Sequence, residues 1–396
     1  MNSRERILAA VGHRTPDRVP LDFDSTAVTG MHCSCVAGLR EYYGLPQRPV
    51  KVWEPYQMLG EIEDDLAEIL GLDVAGVRPL NTMFGFRNED WKEFEVPWGQ
   101  TVLVSEYFRV TREPNGDLLL FPQGDTTAPP SGRMPADGFF FDSIIRQPPV
   151  DDENLDPDDN LEEFGPISDG ELEHLRLETE RLVCTGRAVI GGIGGTAFGD
   201  IALVPAPFLK YPKGIRDVAE WYISTAMRRD YVRAVFSRQC DIALENLAKF
   251  HQAVGESLDL FFVCGTDFGT QTSSFCSTDT YEELYAPYYR QVNDWIHRNT
   301  GWKTFKHSCG AVADFVPHFI QSGFDILNPV QCSATGMDPK SLKERYGDRI
   351  CFWGGGVDTQ KTLPFGTPKE VRKEVLSRCE IFAESGGFVF NAIHNV

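Results

Sequence analysis

The chain has 396 residues, 42% of them apolar, with 27 Phe and 7 Trp; 38 basic against 58 acidic side chains leave a formal charge of −20. So acidic a surface repels phosphate backbones and excludes a nucleic-acid binder, and no uninterrupted apolar run is long enough to span a bilayer. The amino terminus, MNSRERILAAVGHRTPDRVP, is charged and helix-like without an apolar signal core, and 10 Cys are scattered rather than framed as in a small secreted domain, so the expected setting is the cytoplasm, with reduced thiols.

Taken in chain order, the first strand candidates are Val19–Phe23 and Asp73–Val77. Residues 82–150 then change character: Trp98-Gly99, Pro114-Asn-Gly116 and the Pro-rich Ala128–Arg133 punctuate the strand-like Thr101–Val104, Tyr107–Val110 and Leu118–Phe121. This predicts a β-rich insertion after strand two, at the active-site mouth or at an oligomer contact, followed by an acidic linker, Asp151–Glu163. Six further strand candidates follow: Ala188–Gly192, Leu260–Gly265, Lys303–His307, Asp325–Val330, Ile350–Trp353 and Phe388–Asn391. Helices are signalled between them by the capping boxes Thr280-Tyr-Glu-Glu283 and Thr367-Pro-Lys-Glu370, the latter leading an apolar stripe of Val371, Val375, Cys379 and Phe382. Eight strands alternating with helices predict an α/β fold, a (β/α)8 barrel of residues 1–396 with 82–150 inserted in it. An open doubly wound sheet would want a phosphate-binding glycine loop after strand one, and Leu21-Asp-Phe-Asp-Ser25 is not one. Because Val396 follows the eighth strand at once, a covering helix is expected to lie beyond it.

Barrel chemistry sits at the carboxyl ends of strands, so polar residues there are the candidates. In Lys306-His-Ser-Cys-Gly310, His307 and Cys309 are two apart and would share one face of a continuing strand. Imidazole with thiolate suits zinc, with one coordination position left for substrate. The third ligand is His394 at the end of strand eight, or Cys332 after strand six; Cys33 and Cys35 fall in a loop and read as bystanders. In Cys264-Gly-Thr-Asp-Phe-Gly-Thr-Gln271, Asp267 could complete the metal sphere, hold a substrate group or cap a helix, with Gln271 beside it. Gln331 and Asp358 are similarly placed, and Asn391 flanks His394. The assignment drawn is Asp267 and Gln331 as catalytic groups, Gln271, Asp358 and Asn391 toward substrate, and His307, Cys309 and His394 as metal ligands. Gly354-Gly-Gly356 permits close approach of a ligand but is no P-loop, and no G-x-S-x-G elbow occurs.

The opening Ser3-Arg-Glu-Arg-Ile-Leu-Ala-Ala-Val11 with Pro16-Asp-Arg-Val-Pro20, the His307-Ser-Cys-Gly310 turn, Asp325-Ile-Leu-Asn-Pro-Val-Gln331, Gly354-Gly-Gly-Val-Asp358, Pro364-Phe-Gly-Thr-Pro-Lys-Glu-Val371 and Gly386-Gly-Phe-Val-Phe-Asn-Ala-Ile-His394 together resemble the uroporphyrinogen decarboxylase superfamily, over nearly the whole chain. The resemblance implies the (β/α)8 fold. Decarboxylases of that superfamily carry an arginine-rich loop after strand one to grip porphyrinogen carboxylates; here Asp22–His32 contains no Arg and two Asp. The chain is more similar to the branch of zinc-dependent coenzyme M methyltransferases, whose metal is held by a His-x-Cys pair and a later Cys. His307 and Cys309 match the pair, and His394 stands where the later Cys would be.

The function so implied is zinc-dependent transfer of a methyl group between a small methylated donor and a corrinoid carried by a partner protein. An aryl methyl ether would suit the aromatic residues Trp53, Tyr56, Phe84, Phe86 and Phe139–Phe141 near rim segments. No cobalt-ligating Asp-x-His-x-x-Gly signature is present for a resident corrinoid, and a homodimer is one expected assembly. The competing readings are a metal-free decarboxylase of a smaller acid using Asp267 and His307, and a non-catalytic corrinoid- or tetrapyrrole-binding module.

Overall fold

Seven parallel strands stand side by side in chain order in the computed structural model, which describes residues 1–396: Val74–Gly76, Ala188–Gly191, Leu260–Cys264, Lys303–His307, Ile326–Asn328, Cys351–Trp353 and Phe388–Val389. Strands covered on both faces need apolar residues at successive positions, and Leu260-Phe-Phe-Val-Cys264 or Cys351-Phe-Trp353 supply them. The sheet curls, and the segment Pro20–Asp22 lies between its two edges. Asp22 N–H donates to Phe390 O at 3.0 Å, Phe390 N–H to Pro20 O at 2.8 Å, and Asp73 N–H to Leu21 O at 2.9 Å. The expected first strand is therefore reduced to one bridge, Leu21 to Phe390. The Asp22 carboxylate accepts the N–H groups of Asp24 and Ser25 at 3.2 and 3.0 Å, which turns the chain before a ladder can extend.

Inward-facing residues fill the ring rather than leave a pore. Val74, Ala188, Ile190, Leu260, Phe305, Ile326, Cys351, Trp353 and Val389 form one cluster with Ile7, Ala10 and Val11 of the helix Ser3–Val11, which plugs the amino-terminal floor. That helix starts on a capping box between Asn2 and Glu5, and Arg6 fastens it to Asp17 and Asp73 at 2.7 and 2.6 Å. Outward-facing residues meet the surrounding helices in a larger core. Of the two expected capping boxes, Thr367 with Glu370 forms as read. The other helix instead begins at Thr278, capped by Ser277, whose hydroxyl accepts the Thr280 N–H. No helix is long and apolar enough to cross a membrane.

Two smaller sheets stand apart from the parallel one. One orders Leu59–Gly60, Val50–Glu54, Thr101–Ser105 and Trp91–Glu95; the other orders Val110–Arg112, Leu118–Leu120, Gly132–Met134 and Asp142–Ser143. Strands thus occur in the 82–150 region, but their first sheet also recruits Val50–Glu54, from before the strand Val74–Gly76. The expected strand Tyr107–Val110 gives way to a turn, closed by Phe108 N–H on Ser105 O at 2.9 Å, and the ladder resumes at Val110. Phe84, Phe86 and Phe141 are spent on the core of this unit together with Phe108, Val102 and Leu120, so they are not walls of a substrate space. His32 ties the unit to the end of strand eight: its Nε2 is 2.9 Å from Phe139 O, and its N–H donates to Val396 O at 2.6 Å.

Candidate metal centre

Lys303-Thr-Phe-Lys-His307 alternates faces, so Phe305 and His307 look into the ring while Lys306 looks out among Phe268, Tyr289, Phe319 and Phe324. His307 stands directly opposite Asn328 on the next strand. Its Nδ1 lies 2.6 Å from Asn328 Oδ1, and the Asn328 amide is oriented by its own N–H donation to Trp353 O at 2.9 Å. Since that oxygen only accepts, the ring proton sits on Nδ1 and the Nε2 lone pair is bare. Cys309 Sγ is 3.2 Å from this Nε2. From across the ring His394 brings its imidazole edge-on to that of His307, centroids 5.1 Å apart. One donor atom from each of His307, Cys309 and His394 lies within 4.8 Å of the others. Metal–nitrogen bonds of about 2.0 Å and metal–sulfur bonds of about 2.3 Å separate tetrahedral donors by roughly 3.3 to 3.8 Å, so a small shift of side chains would close the set on one cation. His394 Nδ1 accepts the Asn395 N–H at 2.9 Å.

Burial governs the charge here. It pushes both imidazoles down to about 4, His307 further lowered by Lys306 and His394 by His307. The Cys309 thiol is driven well above its usual range by burial and by the neighbouring carboxylates of Asp267 and Asp200. Near neutral pH the donors are two uncharged rings and a protonated thiol, a set that a bound cation would stabilise by turning the thiol into thiolate. Asp267 is itself raised by burial, against the N–H of Cys309 that donates to its Oδ1 at 2.6 Å; that oxygen is 3.9 Å from His307 Nε2. Asp200, from the loop after Ala188–Gly191, is raised to about 6 by burial.

The remaining expected residues divide. Gln331 has both ends of its amide engaged, Oε1 by Gly310 N–H at 2.8 Å and Nε2 by Gln271 Oε1 at 2.6 Å. Gln271 is exposed and donates to Ser333 O at 2.9 Å. Asp358 caps its own turn, accepting the N–H groups of Gln360 and Lys361 at 2.7 and 3.1 Å. Asn391 donates to Asp22 O at 2.7 Å and Thr29 O at 3.3 Å, while its buried Oδ1 has no partner. Cys332 donates to Val330 O at 3.4 Å and does not join the cluster; Cys33 points at Gln100 in the smaller β unit. Sequence reasoning missed Asn328 and Asp200. Asn328 lay within the strand candidate Asp325–Val330, and only its pairing opposite His307 reveals its part. Asp200 closes the glycine-rich stretch Gly194-Gly-Thr-Ala-Phe-Gly-Asp200, the one signal that could have pointed to it.

The curled parallel sheet thus gathers His307, Cys309, His394 and Asp267 at its carboxyl rim, the end at which barrel folds carry their sites. Residues 213–396 match the family model described as Uroporphyrinogen decarboxylase (URO-D), and this part holds His307, Cys309, His394 and Asp267. In fold the whole chain is similar to a solved structure, a methyltransferase from Methanosarcina mazei, with TM-score 0.50 and 15% identity over 99% of this chain and 93% of that chain. No curated protein matches it in sequence.

Proposed function

We propose that this protein is a zinc-dependent methyltransferase that moves a methyl group between a small methylated donor and a corrinoid carried by a partner protein in the cytoplasm. The observation that carries the reading is the convergence of His307, Cys309 and His394 from two separated strand ends within 4.8 Å. The fold likeness to a methyltransferase agrees with it. Zinc bound there would supply Lewis acidity at the heteroatom that the methyl group leaves. His307 offers a lone pair whose direction Asn328 fixes, and Cys309 contributes the negative charge. Asp267, anchored on the Cys309 N–H, sets a carboxyl beside His307 Nε2, where it orients the reacting heteroatom. Asn391 Oδ1 offers an acceptor to a substrate N–H or O–H. An aryl methyl ether is the donor to try first, because a phenolate is a leaving group that such a charge-withdrawing site assists.

Metal analysis of the purified protein, with demethylation of methylcobalamin by candidate phenols and thiols, tests the proposal. One zinc per chain and methyl transfer, both lost in His307→Ala, are expected. Carbon dioxide release from a small acid by metal-free protein would establish the decarboxylase reading instead. Corrinoid binding without turnover would make the chain a carrier module.

A further inference from the structure

The backbone N–H groups of the Cys309 turn are all engaged. Cys309 N–H donates to Asp267 Oδ1 at 2.6 Å, Gly310 N–H to Gln331 Oε1 at 2.8 Å, and Ala311 N–H to Thr270 O at 2.8 Å. Gln331 cannot easily turn away, since its Nε2 is held by Gln271 Oε1 at 2.6 Å and Gln271 is held by Ser333 O at 2.9 Å. The turn is also fixed sterically. Gly310 has φ +87°, and a Cβ there would lie 2.3 Å from Gly269 O.

Amides that follow a ligating cysteine are the nearest donors to its sulfur. A thiolate that accepts such bonds shares its charge with them and binds its metal less strongly, which is one way proteins tune metal–thiolate centres. We infer that Gln331 is a positioning residue of the metal centre: by accepting the Gly310 N–H it keeps that donor off Cys309 Sγ, so the thiolate gives its full charge to the cation. Gln271 is the outer support of the same arrangement. The inference rests on the metal reading of the site, and it assigns Gln331 a part played through Cys309 rather than on substrate.

Cobalt(II)-substituted full-length protein provides the test, because the thiolate-to-cobalt charge-transfer band reports electron density on the sulfur. In Gln331→Met, which keeps the bulk and removes the acceptor, the band moves to higher energy and cobalt affinity, read by chelator competition, falls about tenfold. Gln331→Glu retains an oxygen for Gly310 N–H and loses only the Nε2 donation to Gln271 Oε1, so its shift is smaller than that of Gln331→Met. Should Gln331→Met fail to fold, Gln271→Met, altered at the surface, gives a smaller shift of the same sign. A wild-type band in folded Gln331→Met, or in Gln271→Met where the former does not fold, overturns the inference. A wild-type protein that shows no thiolate band at all overturns the metal reading beneath it.

Discussion

Asn328 Oδ1 lies 2.6 Å from His307 Nδ1, on the neighbouring strand and in direct register with it. The contact is short because two parallel strands hold both side chains on the inner face at one level, and it decides which ring nitrogen is free. Replacement of the outer partner of a ligating histidine typically lowers metal affinity by roughly 10- to 100-fold. Asn328→Leu should show such a loss in a zinc competition titration; unchanged affinity would mean that the tautomer is set by something else. The same variant strands Trp353 O without its donor, so about 1 to 3 kcal/mol of stability should go with it.

Metal uptake should release close to one proton per chain near neutral pH. The imidazoles are already neutral, lowered to about 4, whereas the Cys309 thiol is held protonated well above its usual range. Calorimetry in buffers of different ionisation enthalpy measures the count, and Cys309→Ser should abolish most of it. Release of two or more protons would show that the histidines start charged.

The same histidines set an acid sensitivity of the metal-free protein. Their folded values, about 4, lie below the ordinary 6.5, so the stability they contribute is present above 6.5 and is lost as pH falls through 4. Each accounts for at most about 3 kcal/mol. Glu54 and Asp200 act oppositely. Burial raises them to about 7 and about 6, so they favour the folded state in acid and lose that contribution as pH rises through those values. A His307→Gln, His394→Gln double variant should therefore lose less stability than wild type between pH 6.5 and 4 in urea unfolding. Superimposable curves would remove the histidines from the explanation.

Arg216 is fully buried and forked onto Glu163 at 2.8 and 3.0 Å, with Asp159 O at 3.0 Å accepting a further N–H. It pins the acidic segment Asp151–Glu163 to the helical layer. Arg216→Met leaves the Glu163 carboxylate without its partner, which for buried pairs costs about 3 to 5 kcal/mol. Denaturant unfolding should show the loss and limited proteolysis should find new cleavage within 151–163; an unchanged digestion pattern would place the anchor elsewhere.

The sequence by itself determined what neighbours along the chain decide. Thr367 and Glu370 close their capping box because both reach the same turn of backbone, and Leu260-Phe-Phe-Val-Cys264 can only be a strand covered on both faces. The spacing of His307 and Cys309 likewise brings their side chains together wherever that strand end lies. Tertiary structure decided the rest. From the residues alone His394 had Cys332 as a rival, each following a strand end, and the curl of the sheet carries His394 to His307 and leaves Cys332 on Val330 O. Asn328 became visible through register, and Gln331 turned from a rim polar group into a brace when the loops after three strands met. The phenylalanines near residues 84 and 141 left the mouth because a second set of strands, begun at Val50, needed a core of its own. Backbone torsions and caps act over a few residues and can be read in order; distances across a ring depend on sheet closure and on hydrogen bonds between segments hundreds of residues apart, such as Asp22 to Phe390, that no local pattern encodes.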